Sequence, residues 1–152
     1  MNNYKRILLA EDNLHDIQLT LAALDEYHLA NEVMVVRDGA EALDYLYRRG
    51  KFSDREEAQP VVVFLDIKMP KVDGVEVLRQ IKSDAALKTI PVVMVTSSRE
   101  QRDLVKSYKL GVNAYVVKPI DFEQFVDTIK ELGLFWVVVN EAPPDSQPRE
   151  DN

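Results

Sequence analysis

Five short apolar runs, each ended by a polar residue and followed by a segment of helical periodicity, constrain this chain more than any other feature. They are Ile7–Ala10, Val33–Val36, Val61–Leu65, Val92–Val95 and Ala114–Val117. The run at 61–65 is uninterrupted, which suits a strand covered on both faces in a parallel sheet. Between the runs, Leu14, Ile17, Leu21 and Leu24 repeat at helical spacing, as do Val75, Leu78 and Ile81. Asp38 is placed to cap a helix whose inner face is Ala42, Leu43, Leu46 and Tyr47. Ser98 with Gln101 and Asp121 with Gln124 read as capping boxes, and Gly111 as a helix stop. Phe122, Phe125, Val126 and Ile129 share one helical face. Residues 49–60 read as a long surface loop, and Met69–Gly74 as a turn. Five strand-then-helix repeats imply an α/β fold with right-handed crossovers and a parallel sheet.

A length of 152 residues fits one domain. The absence of cysteine removes disulfides, thiolate metal sites and cysteine nucleophiles. A net charge of −7 argues against non-specific nucleic-acid binding, which needs a basic footprint. The segment Met1–Arg6 leads into only four apolar residues before Glu11, too few for a signal peptide or a membrane span. A cytoplasmic location is the expectation.

In an open parallel sheet, ligands sit outside the carboxyl ends of the strands. Glu11 and Asp12 follow the first run, Asp66 the third, Thr96 the fourth and Lys118 the fifth. All five project toward one sheet edge. Two like charges about 4 Å apart, at an effective dielectric of about 20, repel by about 4 kcal/mol. A divalent cation offsets such repulsion, and hard oxygen donors suggest Mg2+. A carboxylate beside it can attack phosphorus, with the transfer aided chiefly by positioning and charge neutralisation. Taken singly, an Asp after a strand is usually a cap or turn residue. The joint order on four strand ends carries the argument.

These residues resemble the receiver domain of two-component response regulators. The resemblance runs from about Lys5 to Leu132, carried by 8–13 (LLAEDN), 64–70 (FLDIKMP), Asp73–Gly74, 95–97 (VTS) and 115–119 (YVVKP). It implies a flavodoxin-like, doubly wound parallel sheet of five βα units with strand order 2-1-3-4-5. It also implies that Asp66 accepts a phosphoryl group from a phosphohistidine kinase. Asp12 would ligate Mg2+ directly, Glu11 through water, and Lys68 through its backbone carbonyl. Thr96 and Tyr115 would form the switch, Thr96 moving to the phosphoryl group and Tyr115 turning inward. Lys118 would pair with phosphoryl oxygens, and the Lys118–Pro119 bond is expected to be cis. Such a protein signals by contacts rather than by turnover, so it is not expected to be an enzyme.

The receiver pattern ends near residue 132, and no second domain is expected after it. The apolar stretch 132–140 reads as a helix interrupted near Gly133 and ended by Asn140 and the prolines. Residues 4–140 are taken as the receiver with this extension, and 141–152 as a disordered tail. The tail and the 49–60 loop resemble regulators paired with bacterial phytochrome kinases. That narrower likeness implies a homodimer through the last helix and the Phe135–Trp136 segment. His15 and His28, expected on a helix without partner ligands, carry no metal or relay reading. Three competitors fit less well. A haloacid-dehalogenase-like phosphatase needs a second Asp where Lys68 stands. A flavodoxin-like carrier needs a phosphate loop where Glu11 and Asp12 would repel phosphate. A scaffold receiver would have lost site residues, and all five positions are filled.

Overall fold

A computed structural model of the chain describes residues 5–139. Its sheet has five parallel strands: β1 (Ile7–Ala10), β2 (Val33–Val36), β3 (Val62–Asp66), β4 (Val92–Thr96) and β5 (Ala114–Val117). Their order is β2-β1-β3-β4-β5, so the doubly wound arrangement is as expected. Helices α1 (Leu14–Leu24), α2 (Gly39–Tyr47), α3 (Gly74–Ser83), α4 (Arg99–Ser107), α5 (Phe122–Glu131) and α6 (Phe135–Val139) complete the layers.

Alternation along the strands divides the core in two. Leu8, Ala10, Val63, Leu65, Val92 and Met94 face α2, α3 and α4. Ile7, Leu9, Val62, Phe64, Val93 and Val95 face α1, α5 and α6. A central strand therefore has no polar side, which is why the β3 run reads as unbroken. Burying a single such Leu or Val contributes about 2 kcal/mol before the entropy of ordering it is charged.

Asn13, Asp38, Asp73, Ser98 and Asp121 each open a helix, their side chains accepting the N–H of the third helical residue. Each such cap is worth about 1 kcal/mol. Gly74 has a separate duty. A Cβ there would lie 2.0 Å from the Asp66 carbonyl oxygen, so only glycine lets α3 begin against the end of β3. Its N–H donates to the Ile67 carbonyl at 2.7 Å and closes that turn.

Four readings need correction. Leu14 is 56% exposed, because the core-facing stripe of α1 starts one turn later at Ile17. On α2 the fully buried ring is Tyr45, whereas Tyr47 is half-buried. His15 lies on α1, but His28 lies outside any helix, in left-handed backbone after the short turn Asp25–Tyr27. Residues 49–60 lie at the surface as expected, but they are more than a loop: they contain the helical turn Gly50–Phe52 and a buried arginine, Arg55.

The helix break near Gly133 is present. Gly133 has φ +73°, and α6 then buries Phe135 and Val138 against the α1/α5 face. Trp136 and Val137 stay exposed, at 58% and 44%. The readings of Asn140 and of the 141–152 tail lie outside the described residues. No described helix is long and apolar enough to cross a membrane.

Candidate functional site

The carboxyl edge of the sheet gathers charge because each strand ends where its apolar run ends. Asp66 and Thr96 are the last residues of β3 and β4, and both are buried. The Glu11 N–H donates to the Val36 carbonyl at 3.0 Å, which continues the β1/β2 ladder by one residue. The Lys118 N–H donates to the Thr96 carbonyl at 2.8 Å and does the same beyond β5. Backbone pairing thus fixes the four positions, and from three of them, Glu11, Asp66 and Lys118, the side chains converge.

Lys118 Nζ lies at the centre. It is 3.0 Å from Asp66 Oδ2, 3.1 Å from Glu11 Oε1 and 3.2 Å from Asp16 Oδ2. Three ammonium hydrogens meet three carboxylates. The Lys118–Pro119 peptide bond is cis, as expected.

Burial dominates the electrostatics. It raises the Glu11 carboxyl from 4.5 to about 7; the Asn13 N–H opposes the rise, the nearby Asp66 charge adds to it, and Lys118 opposes it. Burial also raises Asp66, against the pull of Lys118. For Lys118, burial favours the neutral amine, but Asp66 and Glu11 together outweigh it and hold the ammonium above the ordinary lysine range. The two acids are costly as anions and Lys118 is firmly a cation. One positive charge does not balance this group.

Glu11, Asp12 and Asp66 each offer a carboxylate oxygen, all within 4.8 Å of one another. A small, oxygen-seeking divalent ion can bridge that span directly or through water. Asp12 is half-buried, and its backbone carbonyl accepts from Arg37 Nη2 at 2.9 Å. The donor set therefore fits a cation of the Mg2+ type.

The remaining expected residues stand apart from this group. The Lys68 side chain is exposed. The Thr96 hydroxyl donates to the Val116 carbonyl at 3.2 Å, toward β5. Tyr115 is half-buried on β5 beside the α2–α4 core, with Lys106 Nζ 5.5 Å from its ring centroid. Asp16 was missed by sequence reasoning. It lies in the first turn of α1, where an acidic residue has an ordinary local reading.

Comparison with known proteins agrees with this geometry. The model of the response regulator receiver domain matches residues 7–130. The solved bacteriophytochrome response regulator RtBRR is 61% identical, with 94% of this chain and 86% of that chain covered and a TM-score of 0.83. The phosphorylated cyanobacterial phytochrome response regulator RcpA is 41% identical, with 88% and 94% covered and a TM-score of 0.70. Response regulator Rcp1 of Synechocystis sp. is 35% identical over 136 residues, 90% of this chain and 91% of that protein. Its Mn2+-bound structure has a TM-score of 0.68 and is 31% identical over 94% of this chain and 98% of that one.

Proposed function

Because the chain belongs to the response regulator receiver domain family, we propose that it takes a phosphoryl group from a histidine kinase onto Asp66 and signals by protein contacts. The supporting observation is the meeting of Asp66 with Lys118 at 3.0 Å beside two further strand-end acids, Glu11 and Asp12.

An Asp66 carboxylate oxygen forms the new O–P bond. The P–N bond to the donor imidazole breaks, and its electron pair leaves with the nitrogen. Lys118 moves one N–H from the carboxylate to a phosphoryl oxygen. Thr96 gives up the Val116 carbonyl and donates to another, exchanging one hydrogen bond of about 1 kcal/mol for a charge-assisted one. Tyr115, in the neighbouring strand β5, then moves inward and reports the change on the β5 face. Glu11, Asp12, Asp66 and the Lys68 carbonyl would hold Mg2+, which supplies charge neutralisation at the transferring oxygens. The metal-bound structure of Rcp1 supports this assignment.

The likeness to RtBRR, RcpA and Rcp1 supports a phytochrome-type kinase as the donor. The exposed Trp136 and Val137 on α6 support a homodimer through the last helix and the Phe135–Trp136 segment. The receiver unit is taken as residues 4–140. The chain works in the cytoplasm without nucleic acid, and it is no enzyme, since the phosphoryl group ends on the protein itself.

The test uses acetyl phosphate and Mg2+. The protein is expected to gain the mass of one phosphoryl group, and Asp66→Asn to gain none. Labelling of that variant at the wild-type level would contradict the assignment. Small phosphate esters should turn over only at background.

A further inference from the structure

Asp16 enters the carboxylate group for a reason the helix cap does not explain. It is the third residue of α1, and its N–H donates to the Asn13 side chain at 2.9 Å. In a capping box, a Glu or Gln at this position reaches back to the N–H of the capping residue. Here that N–H is already engaged: Asn13 donates to Glu11 Oε2 at 3.1 Å. The Asp16 carboxylate is therefore released from the cap, and it lies 3.2 Å from Lys118 Nζ across 102 positions of sequence.

The three acceptors around Lys118 differ in what else they do. Glu11 and Asp66 belong to the acid set that fits a divalent cation, and Asp16 does not. Once Glu11 turns to a cation and Asp66 carries a phosphoryl group, Asp16 is the one of the three that keeps its hold on Lys118. The pair is partly shielded, with side-chain exposures of 20% for Lys118 and 24% for Asp16, so it is screened less than an open surface pair.

We propose that Asp16 is a positioning residue for phosphoryl transfer. It tethers the Lys118 ammonium throughout, so that an N–H stays aimed at the phosphoryl oxygen on Asp66. The proposal rests on the reading of Asp66 as the acceptor. Asp16 touches no reacting atom and acts only through Lys118.

A double-mutant cycle tests it. The readout is the rate of phosphoryl uptake from acetyl phosphate at saturating Mg2+, with circular dichroism confirming that each variant is folded. Asp16→Ala keeps the main-chain N–H that binds Asn13, so the cap survives. It is expected to slow uptake about fivefold, a coupling typical of residues in one charged network. Asp16→Asn retains an oxygen acceptor and recovers part of the rate. On a Lys118→Ala background, Asp16→Ala should change the rate by less than about twofold. An unchanged rate in Asp16→Ala alone, or an equal slowing on both backgrounds, would overturn the tether. Phosphorylation of Asp66→Asn would instead overturn the acceptor assignment, so the two failures are separable.

Discussion

Two shielded cations sit at opposite ends of the strands, and the chain holds them in opposite ways. At the carboxyl edge, Lys118 faces three side-chain carboxylates. At the amino edge, in the connection from α2 to β3, Arg55 faces mainly neutral carbonyls. Its Nη2 donates to the Tyr45 carbonyl at 2.8 Å and to Gln59 Oε1 at 2.5 Å, and its Nε donates to the same Tyr45 carbonyl at 3.1 Å. The guanidinium carbon stands 3.9 Å from the centre of the Tyr45 ring. Burial lowers the Arg55 pKa, yet a guanidinium stays charged in proteins. Arg55 thus completes the end of α2, donating twice to a Tyr45 carbonyl that the Arg48 N–H reaches only at 3.3 Å. Apart from Gln59, its hydrogen-bond partners are main-chain carbonyls held in place by the fold. Those of Lys118 are side chains, and two of them, Glu11 and Asp66, can turn to another cation. One region is finished by folding, and the other is left to be finished by a ligand.

The largest effect that would break this comparison is at Arg55. Arg55→Ala should destabilise the fold by about 3 kcal/mol, since it takes the guanidinium from the carbonyls, the Gln59 side chain and the Tyr45 ring it packs on. Urea unfolding measures this, and the loss should be the same with and without Mg2+.

The next effect is a pH dependence confined to the carboxyl edge. Burial raises Glu11 from 4.5 to about 7, so the folded chain keeps a proton that the unfolded chain has already released. Stability without metal should therefore fall as pH rises from 4.5 to about 7, by at most about 3 kcal/mol, and then level off. Glu11→Gln should flatten that decline in unfolding curves taken in chelator at pH 5 and pH 8. An unaltered slope would show that the edge is less strained than its burial implies.

The smallest effect concerns a third surface. Trp136→Ala, at a 58% exposed position, should shift monomer stability by only about 0.5 kcal/mol. Sedimentation should nevertheless show weaker self-association. An unchanged sedimentation profile would remove α6 from the dimer.

The contrast also explains what could be read from the residues alone. Glu11, Asp12, Asp66 and Lys118 were legible because strand ends in a parallel sheet point to one edge, so their order in sequence maps onto position. The starts of α2, α4 and α5 were legible because the short polar side chains of Asp38, Ser98 and Asp121 act on their own helix. Arg55 was not. Most of its partners are backbone carbonyls, which no side-chain pattern encodes, and its charged neighbours made the segment look solvated. Asp16 was missed because its position in the first helical turn has an ordinary local explanation. Its tertiary one appears only when β5 brings Lys118 alongside. Leu14 misled because hydrophobic spacing does not reveal which turn first meets the core.

The central claim is that the carboxyl edge is completed by a divalent cation on Glu11, Asp12 and Asp66. Urea unfolding at pH 7.5 in chelator and in Mg2+ tests it most directly. At ten times its dissociation constant, Mg2+ should stabilise the chain by about 1.4 kcal/mol, and Asp12→Ala should lose that gain while Arg55→Ala keeps it. Superimposable curves for the unaltered chain in chelator and in Mg2+ would contradict the account.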